Sequence, residues 1–213
     1  MRKTWFLVAA LGLALAGPAS AAPNFFGPTG LLVIPTADTL APQSWNVHLH
    51  LTDDIITYGA NFGLAKQLEL GVTGFDPDGG DTQAMINAKY TLLMESGKAP
   101  GIAIGTIDLA DELDLDVGFY LVASKSLSSL MGGEAAKYNL NAHLGYGWNS
   151  IFNDDVIWGL DLTVTPQIQA IVEGIGGDVT FGARFGLGKG VRAELASYDG
   201  EFGGGISYAA SLR

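Results

Sequence analysis

From Ser44 onward polar and apolar residues alternate with a period of two, the signature of strands with one face in each environment. Trp45, Val47, Leu49 and Leu51 interleave with Asn46, His48, His50 and Thr52. Ile56, Tyr58, Ala60, Phe62 and Leu64 interleave with Thr57, Gly59, Asn61 and Gly63. Tyr138, Leu140, Ala142, Leu144, Tyr146 and Trp148 stand against Asn139, Asn141, His143, Gly145, Gly147 and Asn149. The pattern predicts twelve strands, near 44–52, 55–65, 67–75, 82–94, 100–108, 115–125, 138–148, 155–165, 167–174, 178–187, 190–198 and 202–212. The links between them are mostly short and rich in Gly, Asp, Asn and Pro, which joins antiparallel neighbours into a meander. The longest, Ser126 to Lys137, has room for a short helical turn.

Turn charges give an independent check on the strand count. In a meander, alternate turns fall at opposite ends. One end then collects Asp53, Asp54, Asp76, Asp78, Asp81, Asp108, Asp111, Glu112, Asp114, Asp154, Asp155, Asp178, Asp199 and Glu201, with no base among them. The other collects Lys66, Lys98, Lys125, Lys137 and Lys189, with Glu95 and Glu134. One missed strand would swap the ends of everything after it and scramble this sorting.

Twelve alternating strands leave two open edges unless the sheet closes into a barrel. Composition then says which face is inside. Of the 213 residues only 15% are charged while 48% are hydrophobic, against about 25% charged in a typical soluble domain. The polar faces carry Gly, Asn, Thr, Ser and His, with few charges of mixed sign: Glu69, Lys89, Asp161, Arg184, Arg192 and Glu194. Such charges suit a lumen in which they pair, and together with His143 they are the predicted lumen-lining set. The opposite faces bear Leu, Val, Ile, Phe, Tyr and Trp, with aromatics near strand ends as at a lipid headgroup level. The expectation is an all-β, antiparallel up-and-down transmembrane β-barrel of about twelve strands spanning 44–213.

Met1 to Ala22 has a basic start, a short apolar run and a small-residue exit, Ala19-Ser20-Ala21, which predicts a signal peptide over 1–21. The predicted address is the outer membrane of a Gram-negative-type envelope, with lipid and lipopolysaccharide as neighbours. An excess of 22 acids over 11 bases argues against a nucleic-acid partner, and zero cysteines remove disulfides and thiolate chemistry.

Before the first strand stands Gly27-Pro28-Thr29-Gly30-Leu31-Leu32-Val33-Ile34-Pro35-Thr36-Ala37-Asp38-Thr39-Leu40. Its Thr29, Gly30, Leu31, Pro35, Thr36 and Ala37 resemble the signature that opens YjbH-like outer-membrane proteins, and the 61–72 hairpin is similar to that family's strand pairs. The resemblance implies a barrel associated with exopolysaccharide production or export, with polysaccharide or an export complex as partner, and it lends no catalytic residues. Gly30 and Pro35 suit an edge or an inward-tucked segment, so 22–43 is expected to be a small plug or an extra strand.

Candidate chemistry is sparse. His143 has no serine beside it on its own strand face, and His48 with His50 lacks a third metal ligand. Asp76-Pro77-Asp78-Gly79-Gly80-Asp81 lacks the distal Glu of a calcium loop and reads as a solvated turn. No cofactor, metal site or catalytic residue is predicted. The expected role is non-catalytic, in envelope exopolysaccharide handling. The alternatives are a small porin-like channel or a soluble secreted β-barrel binding module.

Overall fold

Alternating β-branched and aromatic residues separated by Gly and Asp turns leave the backbone no better option than a hydrogen-bonded ladder. The computed structural model describes residues 22–77, 80–113, 115–129, 138–198 and 200–212. Its strands are β1 (Ser44–Leu51), β2 (Ile55–Ala65), β3 (Leu68–Pro77), β4 (Gln83–Leu93), β5 (Gly101–Ile107) and β6 (Gly118–Ser126). They continue with β7 (Asn139–Trp148), β8 (Asp155–Thr165), β9 (Ile168–Ile175), β10 (Asp178–Gly188), β11 (Val191–Tyr198) and β12 (Glu201–Ser211). Each pairs antiparallel with its sequence neighbours, and β1 closes onto β12 from Ser44↔Ser211 to Leu51↔Gly204. The sheet is a closed twelve-stranded meander, so no edge is left unpaired.

One boundary shifts. The expected strand near 115 begins at Gly118, because the Asp108 carboxylate accepts the backbone N–H groups of Glu112 at 3.0 Å and Leu113 at 2.8 Å. With positive φ at Asp108, Asp111 and Asp116, this folds a loop where strand was predicted. The Ser126–Lys137 connection opens with a 3-10 turn at Leu127–Ser129. Its remainder over 130–137 lies outside the described residues.

Apolar side chains point outward: Leu144, Leu195 and Phe202 are 62%, 64% and 78% exposed. Polar ones point inward, with Asn46, Thr57, Thr73 and Lys89 buried. An apolar exterior running around every strand far exceeds the few hundred Å² a water-soluble monomer tolerates; this is the inside-out arrangement of a transmembrane barrel. Five of the strands, β2, β4, β8, β10 and β12, are 11 residues long and reach the roughly 9–11 residues a tilted membrane strand requires. Trp45 packs edge-on against Tyr208 near one rim, and Tyr146 lies 4.9 Å from Trp148 near the other. Among the described residues no helix is long and apolar enough to cross a membrane.

The described turn acids gather at one rim, apart from Glu95, which stands with Lys66, Lys98, Lys125 and Lys189 at the other; Asp78, Asp114, Asp199, Glu134 and Lys137 lie outside the described residues. All four register shifts, at Gly63/Ala65, Thr91/Leu93, Thr163/Thr165 and Gly186/Gly188, fall at the lysine rim. There the β10–β11 turn takes positive φ at both Lys189 and Gly190, the twist that a two-residue hairpin requires.

The interior is not purely hydrophilic, as the polar faces suggested. Leu31, Leu32 and Ile34 form a buried apolar cluster with inward-facing Met85, Tyr120, Val122, Ile157 and Ile171. The reason is that the barrel encloses its own chain: residues 22–40 run through the interior, and 41–43 emerge exposed before the first strand. They join to themselves by the isolated bridges Pro23↔Thr29 and Gly30↔Pro35.

Candidate functional site

Threading a segment through the barrel places its backbone amides where water cannot serve them, so the wall has to. Between Gly30 and Pro35 the segment doubles back, with Leu31 donating its N–H to the Ile34 carbonyl at 2.9 Å. The buried Glu173 carboxylate on β9 accepts the backbone N–H groups at this tip: Leu32 at 3.2 Å, Val33 at 2.5 Å and Ile34 at 3.4 Å. Three successive amides around one carboxylate form a backbone nest for an anion. On the carbonyl side, Arg184 of β10 donates to Gly30 at 3.2 Å, Leu31 at 2.7 Å and Pro23 at 3.3 Å. Its Nε donates to Glu194 Oε2 at 3.0 Å, and the other Glu194 oxygen lies 2.9 Å from His50 Nε2.

A second pair holds Thr29. Glu69 on β3 accepts the Thr29 N–H at 2.9 Å, its hydroxyl at 2.8 Å and the Leu40 N–H at 2.9 Å. Lys89, opposite Glu69 on β4, donates to the Thr29 carbonyl at 2.6 Å, to the Thr29 hydroxyl and to the Thr36 carbonyl at 3.3 Å. Neutral side chains complete the cradle: Thr57 donates to the Phe25 carbonyl, Asn61 to Gly27, Asn87 to Phe26 and Thr91 to Ala37.

Close approach decides which positions, on the segment and on the wall, lack a side chain. Gly27 has φ +113°, and a Cβ there would sit 2.0 Å from Thr73 Oγ1. At Gly159 a Cβ would meet Leu31 Cδ1 at 2.6 Å.

Beside the segment a cavity of about 1010 Å³ opens toward the lysine rim. Thr36, Asp38 and Leu40 form part of its lining, with Asn141, His143, Asp161 and Gln169 from β7 to β9 and Arg184 and Arg192 from β10 and β11. His143 bridges two of these strands. Its Nδ1 lies 2.7 Å from Ser124 Oγ and its Nε2 2.9 Å from Asp161 Oδ2. Asp161 Oδ1 also accepts from Gln169 at 2.7 Å and Asn141 at 3.1 Å.

A serine, a histidine and an aspartate in hydrogen-bond sequence are the parts of an activated nucleophile. Here Ser124 Oγ also accepts the Ala37 N–H at 2.8 Å, and the residue is 5% exposed. Among the described residues no group of three or more His, Cys, Asp or Glu is arranged to hold a metal ion.

Of the predicted lumen-lining residues, the structure places Glu69, Lys89 and Arg184 on the interior segment and Glu194 against Arg184 and His50. His143, Asp161 and Arg192 border the cavity, as Arg184 also does. Of the signature residues, Thr29, Gly30, Leu31, Thr36 and Ala37 each bond through their backbone to a wall side chain, and Pro35 bridges Gly30. Sequence reasoning missed Glu173 and Ser124. Alternation places Glu173 on one face with Gln169, but Ile171 and Ile175 between and beyond them disguise that face as apolar. Ser124 meets His143 only through the β6–β7 register.

A family model described as "Exopolysaccharide biosynthesis protein YbjH" matches residues 22–191, the interior segment and the first ten strands included. No curated protein matches the sequence. Among solved structures, one titled "KdgM porin" is similar with a TM-score of 0.52 and 11% identity, covering 80% of this chain and 99% of that one. Another, "KdgM porin in complex with disordered oligogalacturonate", gives 0.51 at 11% identity with the same coverage. At that identity the likeness concerns the fold alone.

Proposed function

The chain belongs to the YjbH exopolysaccharide biosynthesis family, and on that premise we propose that it is an outer-membrane barrel with a non-catalytic role in making or exporting an envelope exopolysaccharide. The observation that carries this reading is the inversion of the barrel: apolar residues outside, polar and charged ones inside, with the family's own opening segment held within. Residues 1–21 act as the export signal and are removed. The lysine rim faces the periplasm, where both ends of the mature chain lie. The acidic rim faces outward, among lipopolysaccharide headgroups and their bridging divalent cations.

Residues 22–43 act as a plug that keeps the passage shut at rest. Their hold is electrostatic as well as steric, since two buried carboxylates, Glu69 and Glu173, cap donors of the segment while two buried cations, Lys89 and Arg184, cap its acceptors. Release would require an opening signal from an export partner or a polysaccharide chain. The non-catalytic part of the reading rests on Ser124, whose hydroxyl is shared between Ala37 and His143 beneath the segment.

A small porin-like channel is the second reading, and the cavity of about 1010 Å³ at the lysine rim favours it. The structural relative seen with oligogalacturonate supports traffic in saccharides through a barrel of this kind.

Deleting the gene, fractionating the envelope and staining for surface polysaccharide tests the proposal. The expected result is a heat-modifiable outer-membrane band in the parent and lost polysaccharide in the deletion strain, restored by the gene carrying Ser124→Ala. A protein found in the soluble periplasm, or polysaccharide unchanged by the deletion, would refute it.

A further inference from the structure

We infer that the barrel interior is a blind vestibule, entered by hydrophilic solutes from the lysine rim alone and closed at the acidic rim by an apolar septum that Phe25 and Phe26 complete. Which compartment feeds it rests on the orientation proposed above, in which the lysine rim faces the periplasm.

The cavity occupies one half of the barrel. Among the described residues its wall lining comes no nearer the acidic rim than Ser124, His143, Asp161 and Arg184, and the rest of the wall is strand ends and turns on the lysine side. Charges of both signs line it, with the carboxylates of Asp38, Glu95 and Asp161 set among lysine and arginine side chains. Glu95 pairs with Lys125 at 2.8 Å, and Asp161 lies 2.9 Å from His143. Such a lining holds water and hydrophilic solutes.

The other half is apolar. Where the strands approach the acidic turns, inward positions carry Met85, Tyr120 and Ile157, each third in its strand, and Ile107, the last residue of β5. They form one cluster with Leu32 and Ile34 of the interior segment. Nearer the mouth, Phe25 lies 5.0 Å from Tyr198, the last residue of β11, and 5.9 Å from His50 on β1. Phe26 stacks on Phe75 of β3 at 6.5 Å. From the opposite side Phe152, in the β7–β8 connection, meets Tyr120 edge-on at 5.7 Å, and a Cβ at Gly147 would collide with the Phe152 ring.

A charged or hydroxyl group without partners is strongly disfavoured among such side chains, and an apolar constriction excludes water. A solute in the cavity therefore leaves the way it came until the septum parts. Entrance and gate lie at opposite ends of the barrel, so the cavity fills before the passage opens.

The chain has no cysteine, so one introduced thiol is unique. Full barrels carrying Asp53→Cys at the acidic rim, Lys98→Cys at the lysine rim or Thr163→Cys in the cavity are reconstituted into lipid vesicles. Each is treated from outside with a charged, membrane-impermeant methanethiosulfonate. The labelled share of Lys98→Cys gives the barrels whose lysine rim faces outward. Thr163→Cys should be labelled to that same share and Asp53→Cys to the remainder, with all three fully labelled once detergent opens the vesicles. Replacing Phe25 and Phe26 together by alanine should admit the reagent from both rims, so that Thr163→Cys is labelled in every barrel.

Thr163→Cys that follows Asp53→Cys, is labelled in every wild-type barrel, or stays unlabelled in detergent overturns the inference. So do rim shares that sum to more than the whole, since the reagent then crosses the barrel. Heat-modifiable gel mobility shows whether the double alanine variant is folded. A folded one that keeps the wild-type pattern removes the septum as the seal, and if it does not fold, the wild-type pattern decides. On whole cells, a maleimide polymer too large to cross the outer membrane should reach Asp53→Cys and leave Lys98→Cys untouched. The reverse result would overturn the orientation while the vestibule stands.

Discussion

Glu173→Gln should loosen the interior segment without changing its shape. The native carboxylate is buried and receives three backbone N–H groups, one on Oε1 and two on Oε2. The amide keeps one oxygen and turns an NH₂ toward a donor, so at least one N–H is left without an acceptor. A hydrogen bond to a charged group contributes about 1.5–3 kcal/mol, and a stranded buried donor costs a similar amount. The tip should therefore lose about 3 kcal/mol, which raises the ratio of displaced to docked segment by roughly a hundredfold. Planar-bilayer recording reads this as opening events. Wild type should be nearly silent, Glu173→Gln should open far more often, and a barrel lacking residues 22–42 sets the fully open reference. If the truncated barrel conducts while Glu173→Gln stays as quiet as wild type, the carboxylate does not hold the segment and the reasoning fails.

Three further outcomes are expected. Lys89→Met strips the cation that stands opposite Glu69 and caps the Thr29 and Thr36 carbonyls; a hydrogen bond from a charged donor contributes about 1.5–3 kcal/mol, so the unboiled band should convert to the unfolded form at a clearly lower temperature, and an unchanged conversion temperature would count against the anchoring role. Nitroxide labels at Leu140 and Asn141 should respond to lipid-soluble oxygen and to a water-borne nickel chelate respectively, because adjacent residues of β7 face opposite sides; the reverse pattern would turn the barrel inside out. A fluorophosphonate probe should leave Ser124 unlabelled in the folded barrel, and stoichiometric labelling abolished by His143→Ala would replace the non-catalytic reading with a hydrolase.

The strands were legible because alternation is a local property. Each residue's face follows from its parity along the chain, and a one-residue slip would expose every polar side chain of that strand to lipid. Turn charges extended that reading to the whole meander, since rim position follows from strand count alone. Parity also sorts Glu69, Lys89, Asp161 and Arg184 onto one face, but it says nothing about what each will bind. Where the alternation blurs, as at Glu173 flanked by Ile171 and Ile175, even the face is obscured.

By itself, then, the sequence determined the twelve strands, their order, the outward apolar face and the segregation of charge between the rims. Only the tertiary structure decided where residues 22–43 lie, that Glu173 meets amides some 140 residues earlier in the chain, and that Ser124 faces His143. The physical reason is that contacts inside a barrel depend on the register of every strand pair at once, and on which side chains an enclosed backbone, cut off from water, requires for its hydrogen bonds. No single stretch of residues carries that information.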